Sequence, residues 1–241
     1  MYQPRTYRHW VKDADLVSFD VTVRETDLHI RASRNLRRKA HKAVEKYRDA
    51  IERYIERYPA FLTSLQPFPV RNDAPLIVKE MSRATEAVSL GPMAAVAGAI
   101  AEAVGKYLLA FSTEVIVENG GDIFLKTTRK RLVGIYAGDS PLTGKVAIEI
   151  EPGETPLGIC TSSGTVGHSL SLGKADAVIV LASSAALADA VATAAGNLVE
   201  KAEDIEKGIE FVQRIESVKG VVIIKDDKMG VWGEVKITPI K

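Results

Sequence analysis

Between Leu157 and Asn197 the chain concentrates residue types that can handle an anion or a metal: LGICTSSGTVGHSLSLGKADAVIVLASSAALADAVATAAGN. Thr161, Ser162, Ser163, Gly164, Thr165, Gly167, His168 and Ser169 form one run of small hydroxyl side chains and glycines around a single histidine. In such turns successive backbone N–H groups can converge on one phosphate. Ser162 or Ser163 with His168 also has the residue types of a nucleophile and its base, although no third group that would orient the imidazole can be located. Downstream, Asp189 and Thr193 stand four apart in an Ala/Leu/Val-rich helix and so share one face. Their hard oxygens suit Mg²⁺, which takes one or two carboxylates together with water and phosphate oxygens. The structural alternative is an Asp bonded to a neighbouring backbone, because a carboxylate removed from water needs a partner. Cys160 lies in an apolar run and reads as a buried structural thiol.

The elements that must position these residues follow from periodicity. Leu157–Cys160 and Ala177–Leu181 are short, partly β-branched and bounded by turn residues, so they read as buried strands. Ser183 or Ser184 can cap the helix that follows, which runs to about Val199. Upstream, Pro92 suits the first position of a helix over Met93–Phe111, whose Ala and Gly residues permit close packing. Strands Glu114–Val117 and Ile123–Lys126 flank Asn119-Gly120-Gly121-Asp122. That sequence fits a tight hairpin turn, or a glycine turn where a ligand approaches the backbone.

At the N-terminal end Leu16–Val23 and Leu28–Ala32 form a hairpin, and a long helix covers about Asn35 to Tyr58. Leu36, Ala40, Val44, Tyr47, Ile51, Tyr54 and Tyr58 make its apolar stripe, and Pro59 ends it. Its start carries Arg34, Arg37, Arg38, Lys39, His41 and Lys42, against the helix dipole. Those charges read as a solvated face balanced by Glu45, Asp49, Glu52 and Glu56, with an anion or nucleic-acid patch as the alternative. Leu65–Pro75 is a proline-rich connector, and a short helix spans Leu76–Ala87. Leu132–Tyr136 and Lys145–Ile150 continue as strands, Asp204–Ile215 is an amphipathic helix, and Gly220–Lys225, Gly230–Trp232 and Glu234–Thr238 read as a closing β-meander. Mixed helices and hairpins predict an α+β fold with a largely antiparallel sheet covered by helices.

Composition narrows the function classes. With 241 residues, 46% hydrophobic and 26% charged, one compact soluble domain over 1–241 is expected. A net charge of +1 gives no global attraction to nucleic acid or membrane. The one cysteine excludes an internal disulfide, the N-terminus lacks the apolar run of a signal peptide, and no lipobox-like cysteine is present. The longest apolar tract, Met93–Ala101, is too short to span a bilayer, so a cytoplasmic protein without a membrane partner is expected. No GxSxG, HExxH, Walker A or dinucleotide GxGxxG motif occurs.

The order of motifs resembles the ApbE-type family, the FAD:protein FMN transferases once called thiamine-biosynthesis lipoproteins. In that family a helix bearing G-x-x-x-D precedes a strand ending in N-x-G-G-D/N; a T-S-G loop and a histidine follow, then an A-D-A-x-x-T helix. The counterparts here are Gly98 to Glu102, Asn119-Gly120-Gly121-Asp122, Thr161-Ser162-Ser163-Gly164 with His168, and Ala188-Asp189-Ala190-Val191-Ala192-Thr193. The likeness spans roughly Gly91 to Asn197. Ala97 stands where the family usually has lysine, Glu102 where it has aspartate, and His168 is followed by Ser-Leu-Ser-Leu instead of I-I-D-P-x-T-G. The chain therefore resembles an ApbE-like branch set apart from the authentic transferases, with its N-terminal hairpin and long helix as an elaboration.

That resemblance implies Asp189 and Thr193 as Mg²⁺ ligands at the pyrophosphate of FAD and His168 as the catalytic residue. It implies nucleotide contacts from Gly98, Glu102, Asn119, Gly120, Gly121, Asp122, Thr161, Ser162, Ser163 and Gly164, and Gly120, Gly121, Thr161–Gly164 and His168 should line one cleft. FMN transfer to an acceptor protein, or pyrophosphate cleavage, is the implied activity. The rival expectation is a nucleotide- or anion-binding module that has lost transfer. Nucleic-acid binding through Arg34–Lys42 is the weakest reading, and assembly as a homo-oligomer stays open.

Overall fold

The computed structural model describes residues 14–164 and 173–240. The chain opens with a hairpin of β1 (Val17–Val23) and β2 (Thr26–Ala32), followed by α1 (Arg37–Arg57). Ala40, Ala43, Val44, Ile51 and Tyr54 form the buried stripe of α1, as its periodicity predicts. After Pro59 come a short α2 (Ala60–Thr63) and α3 (Leu76–Glu86). The helix expected over Met93–Phe111 begins as a 3-10 turn at Pro92–Ala95 and becomes α4 only over Val96–Leu108. Strands β3 (Val115–Asn119), β4 (Asp122–Lys126), β5 (Arg131–Gly134), β6 (Val146–Ile150), β7 (Leu157–Ser162) and β8 (Ala177–Ala182) follow. The chain then gives α5 (Ala185–Gly196), α6 (Ile205–Val212), β9 (Val218–Lys225), β10 (Lys228–Gly233) and β11 (Lys236–Pro239).

Eight strands form one sheet in the order β1-β2-β3-β4-β7-β8-β9-β10, and every pairing between neighbours is antiparallel. Helices cover one face, where Val117, Phe124, Val180 and Ile223 meet the Ala and Val side chains of α4 and α5. On the other face Ile116, Leu125, Ile159, Ile179 and Val222 pack against Ile148 and Ile150. Burial on both faces is why β8 is apolar at every position instead of alternating.

The expected closing meander is corrected by the fold. β9 and β10 form a hairpin, but β11 leaves for a second sheet of order β11-β6-β5. Ile237 sits opposite Ile148 there, so its apolar side chain joins the core beneath the large sheet instead of extending that sheet's edge. Among the described residues no helix is long and apolar enough to cross a membrane.

Helices α4 and α5 cross at Gly98. A β-carbon there would stand 2.3 Å from the Ala185 carbonyl oxygen and 2.9 Å from Asp189 Cβ, so only glycine allows this approach. The crossing brings the first turn of each helix against a side chain of the other.

Candidate functional site

The first N–H groups of a helix have no acceptor within it. In α4 the cap residue Ala95 supplies no side-chain bond. Asp189 supplies it from α5: the Gly98 N–H donates to Asp189 Oδ2 at 2.9 Å, and the Ala97 N–H adds to this hold. The reverse contact comes from Glu102, on α4. Its Oε2 accepts from the Ala185 N–H at 2.7 Å, the Ala186 N–H at 3.3 Å and the Ser184 hydroxyl at 2.8 Å. Ser184, one of the two caps expected from sequence, accepts in turn from the Leu187 N–H at 3.4 Å. Lys106 Nζ stands 2.6 Å from Glu102 Oε1, so both oxygens of that carboxylate are engaged by the protein itself. Burial works against charge on Lys106, but the Glu102 carboxylate prevails and raises its pKa.

The β3–β4 hairpin brings its tip to the same place. Gly120 and Gly121 turn the chain with φ of 68° and 110°, values that suit glycine in a tight hairpin. Asn119 Nδ2 donates to the Ala97 carbonyl at 3.1 Å and ties the tip to the start of α4. The Gly121 N–H donates to Glu118 Oε1 at 3.3 Å. A β-carbon on Gly121 would meet Thr161 Cβ at 3.8 Å. Thus the hairpin tip and the end of β7, separated along the chain, lie side by side.

One step beyond the Ile123–Ile159 pair, Asp122 comes opposite Cys160 on the helix-covered face. Asp122 is 8% exposed. Burial first, then the charge of Asp189, push its pKa well above the ordinary carboxylate range, against hydrogen bonds from Cys160 and the Thr161 backbone. Its Oδ1 has no hydrogen-bond partner among the described residues. Asp189 is half-buried, and burial raises it to about 7 despite the N–H groups of Gly98 and Ala97. Cys160 Sγ donates to the Ala185 carbonyl at 3.2 Å, and burial, followed by Asp122 and Asp189, pushes its thiol up. This thiol is structural in its packing, as its apolar strand predicts, yet it adjoins the carboxylate pair.

Thr193 lies one turn beyond Asp189 on α5 and is half-buried. Ser162 is buried with its hydroxyl towards Gly196, whereas Thr161 and Ser163 are half-buried and Gly164 is exposed. The Gly164 N–H donates to the Ala175 carbonyl at 2.9 Å, and Gly164 packs against the Gly173 backbone. Gly164 and Gly173 are therefore neighbours in the fold. His168 lies outside the described residues.

Among the described residues no group of three or more His, Cys, Asp or Glu side chains is arranged around a metal position. The donor set still suits a hard cation. Two neighbouring carboxylates, Asp122 buried and Asp189 half-buried, each favour a proton or a cation, and Thr193 follows Asp189 by one turn of α5. The basic start of α1 is partly absorbed elsewhere: Arg34 Nε donates to the Phe111 carbonyl at 2.9 Å, and Lys39 Nζ lies 3.8 Å over the Phe111 ring. A groove of about 670 Å³ between α6 and β10, lined by Ile205, Ile209, Glu206, Glu210 and Trp232, touches none of the site residues.

Sequence reasoning did not find the pairing of Asp122 with Asp189 or the capping by Glu102. Both depend on how far apart two helices and a hairpin lie, which spacing along the chain does not encode. The surplus of polar residues in two Ala-rich helices was the available signal.

Three comparisons bear on this geometry. The family described as AbpE bacteria matches residues 8–224. A UPF0280 protein from Methanocaldococcus jannaschii is 42% identical over 221 residues, covering 89% of this chain and 90% of that one. One from Methanopyrus kandleri is 43% identical over 225 residues, covering 90% and 91%. Among solved structures, the flavin transferase ApbE from Vibrio cholerae superposes with a TM-score of 0.59 at 14% identity, over 90% of this chain and 96% of its own. The apo flavinyl transferase ApbE from Pseudomonas stutzeri gives 0.58 at 14% identity, over 90% and 94%. At that identity the likeness is one of fold.

Proposed function

Because this chain belongs to the AbpE bacteria family and shares its fold with the ApbE flavin transferases, we propose that it binds FAD together with Mg²⁺ and acts at the pyrophosphate. One observation carries the reading. The start of α4, the Gly120–Gly121 tip, the end of β7 and the polar side of α5 converge on one end of the sheet.

Asp189 and Thr193 would hold the cation, which supplies charge neutralisation at the phosphates when bound. The backbone around Gly120–Gly121 and Thr161–Gly164 would cradle the nucleotide with N–H donors. A hydroxyl of an acceptor protein, or water, attacks the phosphorus on the flavin side; the bond to the AMP oxygen breaks, and AMP leaves with that electron pair. His168, the candidate catalytic residue, would accept the attacking hydroxyl's proton. The protein's contribution is positioning and electrostatics, as in other phosphoryl transfers.

A second reading, a nucleotide- or anion-binding module without transfer, is favoured by one feature. Ala97 offers no cation, and Glu102 is closed onto α5 and Lys106, so neither position presents a charge to a ligand. Incubation of the purified protein with FAD, ADP or NAD and Mg²⁺, followed by calorimetry and mass spectrometry, separates the two. AMP with FMN, or FMN on a protein threonine, supports the transferase. Tight binding without products supports the module, and no binding of any nucleotide rejects both.

A further inference from the structure

We propose that Asp122 is a third protein ligand of the divalent cation, joining Asp189 and Thr193 through its Oδ1 atom; this rests on the metal-dependent reading above. Three observations lead there. Asp122 is 8% exposed, yet its Oδ1 has no hydrogen-bond partner among the described residues. A buried polar atom left without a partner is costly, and native structures retain few of them. Second, the Asp189 carboxylate is close enough to act on Asp122 electrostatically, and neither carboxylate has a salt bridge among the described residues. Third, the donors that do reach the pair engage only part of it. The Gly98 N–H takes Asp189 Oδ2, while Thr161 and Cys160 bond to Asp122. The Ala97 N–H also holds Asp189, whereas Asp122 Oδ1 stays available.

A hard cation answers all three at once. Mg²⁺ requires oxygen ligands in octahedral array and keeps several positions for water and phosphate. Two carboxylates and one hydroxyl would leave about three positions for a nucleotide's phosphate oxygens and water. The ion would tie the start of β4 to α5, beside the first turn of α4. Asp122 then has a role beyond ending a glycine turn: it supplies the second negative charge that favours a divalent over a monovalent ion.

Mn²⁺ serves as the probe, counted by electron paramagnetic resonance on the full chain with and without ADP. Wild type, Asp122→Asn and Asp189→Asn are titrated, and each is melted without metal. The expected result is one bound Mn²⁺ in wild type and an affinity loss on the order of 10–100-fold in Asp122→Asn, at least what outer partners of a metal site cost. The metal-free Asp122→Asn protein should melt no lower than wild type. A wild-type Mn²⁺ affinity in Asp122→Asn overturns this inference and leaves the metal reading standing. Absence of Mn²⁺ binding in wild type, even with ADP, overturns both. Should Asp122→Asn not fold, Asp122→Glu is measured instead; it keeps the carboxylate but displaces it, and an unchanged affinity overturns the proposal.

Discussion

Asp189 and Glu102 cap each other's helices. Asp189, on α5, accepts from the Gly98 N–H at the start of α4 at 2.9 Å, and Glu102, on α4, accepts from the Ala185 N–H at the start of α5 at 2.7 Å. Each carboxylate sits where the partner helix has unsatisfied donors and the positive end of its dipole. The two contacts are alike in kind but unequal in outcome. Glu102 has both oxygens engaged, the second by Lys106, whereas Asp189 has no cationic partner among the described residues and neighbours a second carboxylate.

Glu102 should therefore be a stability residue. Glu102→Ala leaves the Ala185 and Ala186 N–H groups and the Ser184 hydroxyl without their acceptor, at a cost of roughly 1–3 kcal/mol. Glu102→Gln keeps an acceptor and should cost less, because the Lys106 partner is 54% exposed. Urea midpoints read both losses, and Mg²⁺ affinity should be unchanged in Glu102→Gln. A Glu102→Gln protein that is fully stable but no longer binds Mg²⁺ would instead make this residue part of the ligand site.

Gly98 holds the crossing close. Gly98→Ala places a methyl 2.3 Å from the Ala185 carbonyl oxygen, which is backbone and cannot swing aside. Overpacking of this kind costs about 1–3 kcal/mol. The same shift draws Asp189 from the Gly98 N–H, so nucleotide affinity should fall together with the melting temperature. A variant as stable as wild type would show that α4 and α5 slide freely.

Much of this was legible in the chain. The stripe Ala40, Val44, Ile51, Tyr54 and the apolar run Ala177–Leu181 announced an amphipathic helix and a buried strand, because periodicity reports local burial directly. The closing meander was not legible. Lys236–Pro239 alternates as any edge strand does, and only the apolar surface around Ile148 decides that it joins the second sheet. The site was legible in residue type. Asp189 stood out as an acid in an Ala/Val helix, but whether a backbone donor or a second carboxylate would meet it depends on the crossing at Gly98. In the fold it meets both.

Acid should unfold the protein through a different network. Arg131 is buried and bonds Asp15 at 2.7 and 2.8 Å and Glu114 at 2.7 Å. Glu114 is held at about 2 because hydrogen bonds from Thr128, Arg131 and Thr127 outweigh its burial; Asp15 is held at about 2, chiefly by Arg131. Both folded values lie below the ordinary 4.5 and 3.8, so their contribution is present above that range and is lost as pH falls towards 2. Arg131→Met should cost about 3–5 kcal/mol at neutral pH by leaving Glu114 buried and poorly paired. It should also flatten the acid limb in a denaturation series. An unchanged limb would place the acid sensitivity elsewhere.

Asp189 separates a metal ligand from a cap by the sign of its pH response. Its folded pKa is raised to about 7 from 3.8, the reverse of Glu114. A raised carboxylate pKa means that the folded protein holds the proton more tightly than the unfolded chain. Metal-free protein should therefore gain stability as pH falls from about 8 to about 5, a limb that belongs to the Asp122–Asp189 pair as a whole. Asp189→Asn keeps an acceptor for the Gly98 N–H but removes the charge. Without metal it should melt near or above wild type at about pH 8, and its low-pH gain should shrink. With Mg²⁺ and FAD, wild type should rise in melting temperature by mass action and the variant should not. That ligand-induced rise should fade in wild type as pH drops, because protons and the cation compete for the same oxygens. If Asp189 is a cap alone, wild type will be indifferent to Mg²⁺ and FAD at every pH, and Asp189→Asn will melt lower without ligand because a neutral amide is a poorer partner for the start of α4. Melts of the two proteins across that pH range, with and without Mg²⁺ and FAD, decide between them.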